Sequence, residues 1–268
     1  MDADKPRKNV VITGSTRGIG LEMARQFLSR GCCVTISGRG LELSPVTRKI
    51  LDDFQDKYIY VPCNVQKKAD LQNLWDVSSA KWGKIDIWIN NAGQNTPHVF
   101  SWETEEDITR QVVETNITGM ILGSQIAASG MLKQGSGAIY SMEGLGSNDM
   151  IQEKTIHYGM TKRALTYYMK GLAKELKGSG VIAGRLSPGM MLTDFITKDH
   201  EGKPAEVVTN ENFRKVFNIL ADRPETVAAY LVPGMLSNKK NDAHIVWLTG
   251  FKAALRFMKA PFSKRKLI

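Results

Sequence analysis

Tyr158 and Lys162 stand four residues apart in the stretch Tyr158-Gly159-Met160-Thr161-Lys162. On a helix, positions i and i+4 share one face. An ammonium beside a phenol favours the phenolate and lowers the phenol's pKa. An acid tuned toward working pH exchanges a proton with a substrate oxygen. Far upstream lies Gly14-Ser15-Thr16-Arg17-Gly18-Ile19-Gly20. Its glycines permit a tight turn and close approach of backbone to a pyrophosphate. The N–H groups that open the following helix point at the anion. Together the two stretches predict hydride transfer coupled to proton transfer at a carbonyl.

These residues need a frame. Val10-Val11-Ile12 precedes the glycine turn and Leu21 to Leu28 follows it, which is the strand–turn–helix context that gives the motif meaning. Further strands are predicted at Cys32–Ile36, Tyr58–Val61, Ile85–Ile89, Gly137–Met142 and Val181–Leu186, with helical patterns between them. Such alternation predicts an α/β fold: one doubly wound parallel sheet with helices on both faces. Ligands then bind beyond the carboxyl ends of the strands. Residues 1–268 read as a single dinucleotide-binding domain, with a basic amphipathic extension over about 245–268. The polar stretch from about 190 to 225 reads equally as a substrate lid or an ordinary surface insertion.

The end of the second strand decides between NAD and NADP. A carboxylate there would bond the ribose 2′-hydroxyl. This chain has Ser37-Gly38-Arg39 instead. Arg39 can present a guanidinium fork to a 2′-phosphate, with Arg17 closing from the other side. NADPH is the expected cofactor.

Composition narrows the remaining classes. The net charge of +9, from 36 basic and 27 acidic residues, favours anionic partners. No nucleic-acid recognition motif accompanies it, so no nucleic acid is expected. No apolar run approaches the ~18 residues of a membrane span. The polar start Met1 to Lys8 reads as neither a signal nor a transit peptide. Cys32, Cys33 and Cys63 read as reduced, buried and structural. His98, His157, His200 and His244 are scattered, with no metal-ligand spacing. His157 is read as structural or as lining the pocket.

Over about residues 9–195 the chain resembles the short-chain dehydrogenase/reductase family, whose domain is a Rossmann fold. The resemblance is carried by Thr13 to Gly20, Asn90-Asn91-Ala92-Gly93, Asn116, Tyr158 with Lys162, and Pro188-Gly189 with Thr193. It implies that Asn91, Ala92 and Gly93 pack along the adenosine and the sheet end. Asn64 and Val65 would flank the adenine, Asn64 standing where family members usually carry Asp. Asn116 would hold a water in a proton relay to Lys162, which also bonds the nicotinamide ribose. Pro188, Gly189, Met191 and Thr193 would border the nicotinamide. Within the family the chain resembles the chlorophyll b reductases without membrane-spanning helices, through Ile85–Gly93, Glu143–Ser147, Ser187–Asp194, Pro224–Ala228 and Leu248–Ala253. That resemblance implies NADPH-dependent reduction of the 7-formyl group of chlorophyll b or chlorophyllide b. It also implies a homo-oligomer that is soluble or peripheral on a photosynthetic membrane, at the chloroplast stroma or thylakoid surface or in a bacterial cytoplasm.

One departure stands out. The family usually places a serine thirteen residues before the tyrosine, and here that residue is Leu145. Aligning the strand Gly137–Met142 puts Glu143 and Gly144 where a Ser-Ser pair normally stands. Ser147, a protonated Glu143 and, less well aligned, Ser141 are the candidates for the substrate-oxygen partner. A macrocycle needs a wide apolar mouth, for which Met142, Met150, Met190 and Met191 are candidates. Phe251, Ala254, Leu255 and Met258 follow i, i+3, i+4, i+7 spacing. Lys252, Arg256 and Lys259 form a basic stripe, followed by Lys264-Arg265-Lys266. This helix suits either an anionic membrane surface or packing on the domain or a second subunit. Two other functions remain open from sequence: a general NADPH-dependent carbonyl or oxoacyl reductase, and a non-catalytic scaffold that binds cofactor or pigment.

Overall fold

The computed structural model describes residues 7–197, 206–263 and 265–268. His200 and Lys264 lie outside them, as does part of the suggested lid. In chain order the elements are β1 (Asn9–Ile12), α1 (Gly18–Leu28), β2 (Cys33–Gly38), α2 (Pro45–Ile50), β3 (Tyr58–Pro62), α3 (Lys68–Trp82), β4 (Ile87–Asn90), α4 (Glu106–Val113), α5 (Gly119–Gln134), β5 (Gly137–Met142), α6 (Ile156–Glu175), β6 (Val181–Ser187), α7 (Asp194–Thr197), α8 (Glu211–Leu220), α9 (Pro224–Ser237), β7 (Ala243–Val246) and α10 (Gly250–Lys259). A π-helical turn over Glu114–Thr118 joins α4 to α5. The strands form one parallel sheet ordered β3-β2-β1-β4-β5-β6-β7. This is the doubly wound α/β architecture expected from the alternation.

Both faces of the sheet are covered, so strand interiors are apolar throughout. On one face Phe27, Met23, Leu231 and Val232 pack over Ile12 and Ile36. On the other, Trp75, Met131, Leu165 and Met169 pack over Val11, Trp88 and Ile139. The three cysteines are free and buried, as expected. The order reverses between β1 and β4, which opens a crevice at the carboxyl ends of these strands.

β7 was not anticipated. Its four residues, Ala-His-Ile-Val, are only half-buried at the sheet edge and lack an apolar run. The region read as an extension from about 245 therefore begins inside the sheet.

The tail beyond β7 folds back onto α8 through one residue, Asp222. Its buried carboxylate receives the Trp247 indole N–H at 2.7 Å, Arg256 at 2.7 Å and Arg265 at 2.6 Å. The two guanidiniums also bond the carbonyls that end α8: Arg256 at Leu220, and Arg265 at Ile219 and Ala221. Cations there meet the negative end of the helix dipole. Asn218 closes the fold-back by accepting from Leu267 N at 2.6 Å and Ile268 N at 3.1 Å. Burial pushes the Asp222 carboxyl up, but the bonds and charges of Arg256, Trp247 and Arg265 outweigh it and leave it below its usual value. Arg256 of the basic stripe and Arg265 of the run that follows it thus turn toward the domain, as the packing alternative expected. Asp222→Ala should cost about 3 kcal/mol, the lower end for a buried pair because both arginines are partly solvated. Thermal or denaturant unfolding measures it.

Candidate active site

The glycine turn is held open by its own lacing. Asn91 Nδ2 donates to Thr13 O at 3.0 Å and Gly14 O at 2.9 Å. Thr13 Oγ1 accepts from Asn91 N and Ala92 N at 3.0 and 3.1 Å. Gly14 has φ +62°, and a Cβ there would lie 2.8 Å from Ala92 Cα. Ser15 Oγ donates to Ile12 O and accepts from Ser37 N, and Ser37 Oγ donates to Ile12 O. Both serine side chains are fully buried, so what they can offer a ligand is main chain. Thr16 packs its methyl where a side chain on Gly38 would sit.

The crevice fits a dinucleotide on this chain's own terms. No side chain caps the start of α1, so its first N–H groups remain available. Gly14 and Gly18 are partly exposed and carry no side chain at that point, Gly20 is packed beneath them against Asn91 and Gly14 O, and Asn91 Oδ1 is buried without a partner. Thr193 reaches from the loop after β6 to within 3.8 Å of an ideal Cβ on Gly18, so that loop borders the turn. That loop is fixed by the tail hub: Leu192 N donates to Asp222 O at 2.9 Å and Asp222 N to Met190 O at 3.0 Å. Gly189, φ +70°, follows Pro188 and has no space for a side chain against Leu248. At the other end a cavity of about 470 Å³ is lined by Thr16, Arg17, Gly18, Glu42 and Tyr60. Arg17 and Arg39 are exposed and form no ion pair or side-chain hydrogen bond among the described residues. A carboxylate, that of Glu42, also lines this cavity. Glu42 faces Arg48 at 3.4 Å. Asn64 Oδ1 accepts from Gln66 N at 3.2 Å, and Val65 packs on Gly119.

Tyr158 and Lys162 occupy the first two turns of α6. Gly146, φ +96°, lets that helix lie directly on the loop after β5, because a Cβ there would strike the Gly159 carbonyl. At Gly144 the approach is closer still: a Cβ would fall on the Tyr158 hydroxyl, with Lys162 Cε 3.3 Å away. Lys162 Nζ donates to Met142 O at 3.0 Å and lies 5.7 Å from the Tyr158 ring centre. Asn116 sits in the π-helical turn beside Gly93. It accepts from Gln94 N at 2.7 Å and donates to Gln94 O at 2.9 Å and Thr161 Oγ1 at 3.0 Å. A Cβ on Gly93 would sit 3.5 Å from Asn116 Oδ1 and 3.8 Å from Lys162 Nζ. Tyr158, Lys162, Asn116, Gly93 and Gly144 therefore share one spot at the crevice.

The electrostatics differ from the sequence expectation. Burial pushes the Tyr158 phenol above its ordinary value, and no lowering by Lys162 offsets it. Lys162 is itself drawn down to about 8 by burial, against an upward pull from Glu143. The phenol is thus held protonated beside an amine whose hold on its own proton is weakened.

The expected substrate-oxygen partners are committed elsewhere. Ser147 Oγ accepts from Gly144 N at 3.1 Å and donates to Lys162 O at 3.3 Å, locking the turn. Glu143 is turned away into a buried cluster and is ionised, not protonated: burial raises its carboxyl, but the bond and charge of His244, with Arg185 and Thr166, leave it below the usual value. Ser141 lies fully buried beside Asn90 Nδ2 at 3.5 Å. Gly144 is the residue facing the Tyr158 hydroxyl, so no side chain stands where the family serine would. The glycine signal was present in the sequence as Glu143-Gly144; the close approach that requires it was not.

Phe195 on α7 meets the Tyr158 ring edge-on at 5.6 Å, and Asn95 Nδ2 bonds its carbonyl at 3.0 Å. This part of the 190–225 stretch does lie over the site. Met142 does not join the mouth; its side chain is core. His157 bonds Thr104 at 3.3 Å, and among the described residues no His, Cys, Asp and Glu group could hold a metal.

With this geometry, the chain belongs to the short chain dehydrogenase family, whose model matches residues 8–204. It is therefore an oxidoreductase of a nicotinamide-dependent class. A probable chlorophyll(ide) b reductase of Arabidopsis thaliana is 36% identical over 261 residues, 90% of this chain. The chlorophyll(ide) b reductase of Oryza sativa subsp. japonica is 33% identical over 276 residues, 97% of this chain and 77% of that protein. Both relatives are named chloroplastic, and the chain spans about half (51%) of the Arabidopsis protein. Among solved structures, ElxO with NADP bound aligns with a TM-score of 0.79 at 22% identity, covering 93% of this chain and 100% of that one. A short-chain dehydrogenase/reductase from Mycobacterium marinum gives 0.78 at 23% identity, over 91% and 95%. These establish the fold.

Gly144→Ala should displace the Tyr158 hydroxyl by roughly an ångström and lower kcat about 100-fold. Dinucleotide binding, followed by nicotinamide fluorescence, should change little.

Proposed function

We propose that the chain reduces the 7-formyl group of chlorophyll b, or of chlorophyllide b, to a hydroxymethyl group with NADPH. The carrying observation is the pairing of chlorophyll(ide) b reductase relatives, matched over nearly the whole chain, with a tyrosine–lysine site facing the dinucleotide crevice. When bound, the reduced nicotinamide supplies the hydride. The chain's own residues handle the rest. Gly14 to Gly20 and the start of α1 receive the pyrophosphate, and Arg17 and Arg39 receive the 2′-phosphate. Pro188, Gly189, Met191 and Thr193 border the reacting ring. The Tyr158 hydroxyl gives its proton to the carbonyl oxygen as that oxygen gains charge. Lys162 and Asn116 lead back toward solvent and restore the proton.

The rim around the start of α6 suits a broad apolar substrate. Trp102, 80% exposed, stacks on Phe100 at 4.9 Å, and Met150 and Ile151 are exposed nearby in sequence to α6. Thr104 ties this segment to His157 on α6. Purified protein should convert chlorophyllide b with NADPH to the hydroxymethyl product, read by chromatography. NADH should serve poorly, and Tyr158→Phe should abolish turnover while keeping NADPH binding. Reduction of small ketones or acyl thioesters but not of the pigment would assign the site to general carbonyl reduction.

A peripheral membrane contact belongs to the same reading. Among the described residues no helix is long and apolar enough to cross a membrane. On α10 and just beyond, Phe251 (80% exposed), Met258 (65%) and Phe262 (89%) stand outward on the side away from the Asp222 anchor, with Lys259 and Lys266 also exposed. Apolar residues flanked by lysines suit an anionic lipid surface. Replacing Phe251, Met258 and Phe262 together by Ser should abolish co-sedimentation with vesicles containing anionic lipid, and leave turnover of detergent-dispersed pigment unchanged.

A further inference from the structure

Beneath the tyrosine–lysine pair lies a charged cluster that the proposed reaction does not use. Glu143 follows Met142, whose carbonyl holds Lys162 Nζ. Its main-chain N–H is fixed to Leu186 O at 2.8 Å, so the carboxylate projects inward between β6, β7 and α6. His244 on β7 donates Nε2–H to Glu143 Oε2 at 2.7 Å. Arg185 on β6 stands 3.5 Å from Glu143 Oε1 and pairs with Asp242 at 3.1 Å. Thr166, one turn beyond Lys162 on α6, donates to Glu143 Oε1 at 3.1 Å. These, with Lys162, are the charged, titratable and hydrogen-bonding groups facing the carboxylate from the elements packed on it. His244 is 41% exposed at its side chain, whereas Glu143 and Arg185 are almost wholly enclosed.

Burying a carboxylate this completely is unfavourable unless it is paired, and here three donors converge on it from three elements. None of them is a substrate-facing group. The residue stands where the family carries a serine, yet it points away from the reacting atoms, and Gly144 takes the facing position. What it does reach is the environment of Lys162, a buried ammonium whose nearest acceptor is one neutral carbonyl.

We propose that Glu143 is a positioning residue: a buried fixed anion that keeps Lys162 charged and seated on the Met142 carbonyl. The inference rests on Tyr158 and Lys162 being the proton-transfer pair. Burial alone drives Lys162 toward the neutral amine; the anion beside it opposes that drive. A neutral Lys162 would be a poorer anchor for the ribose and a poorer link in proton supply. His244 and Arg185 hold Glu143 ionised, so the counter-charge persists through the pH range in which Lys162 titrates.

The sign of the effect separates this role from simple packing. The protein is labelled with ¹³C at lysine Cε, the Lys162 signal is identified by its loss in Lys162→Met, and its titration is followed without cofactor or substrate. Glu143→Gln keeps the shape and removes the charge, so the Lys162 midpoint should fall by about one pH unit. Glu143→Asp, which keeps the charge, should restore most of the difference. Arg185→Gln removes the cation that stands 3.5 Å from Glu143 and leaves the anion's charge less offset, so it should move the Lys162 midpoint up; it decides the question should Glu143→Gln prove too unstable. A midpoint unmoved in folded Glu143→Gln, or one that fails to rise in Arg185→Gln, overturns the proposal. Turnover gives the second arm, in which the alkaline limb of kcat should shift with the midpoint. Turnover surviving in Tyr158→Phe would instead reject the active-site reading, while the lysine titration would still decide the role of Glu143.

Discussion

The absence of a side chain at Gly144 is the constraint on which the site depends. The Tyr158 hydroxyl and the Lys162 stem both occupy the space a Cβ would need there. That contact sets how closely α6 approaches the end of β5. From it follows the seating of Lys162 Nζ on Met142 O, and from that seating the nearness of Lys162 to Asn116 and Gly93 across the crevice. Ser147 is enlisted to hold the Gly144 turn, with its hydroxyl bridging Gly144 N and Lys162 O. A packing requirement, not an extra catalytic group, explains the two glycines and the serine of Gly144-Leu145-Gly146-Ser147.

Much of this was legible in the sequence because it is written in local signals. The glycine turn sits between an apolar β-branched run and an amphipathic helix, and strand, turn and helix appear where those signals fall. β5 matches its sequence-predicted range, since Gly137 to Met142 is an uninterrupted run bounded by glycine. Tyr158 and Lys162 needed only helical periodicity. What was not legible depends on long-range contacts. β7 is short, edge-lying and half-buried, so its burial pattern carries little information. His244 looked scattered because its partner, Glu143, lies 101 residues away. The sign of the Tyr158 shift also required the fold: spacing shows that a lysine is near, but only packing shows that burial outweighs it.

Asp222 joins two regions that sequence treated as separate. Its main chain pairs with Met190 and Leu192 beside the crevice, and its side chain gathers Trp247, Arg256 and Arg265 from the tail. The loop after β6 is therefore braced from behind by the last residues of the chain. The tail divides by face. Its inward arginines serve the hub, and its outward Phe251, Met258 and Phe262 remain bare.

The two buried carboxylates solve similar problems differently. Asp222 lies where its cations are partly solvated, so its pairing is mainly structural, capping the end of α8 and stitching the tail. Glu143 lies deeper, and its partners Arg185 and His244 come from strands that carry no reacting group. Replacing a buried charge pair by apolar residues is commonly neutral or favourable for stability, so stability alone is a weak reason for carrying Glu143 at the end of β5. The electrostatic demand of Lys162 is a stronger one. Burial draws the Lys162 amine below its usual value, and Glu143 is the anion that opposes that pull.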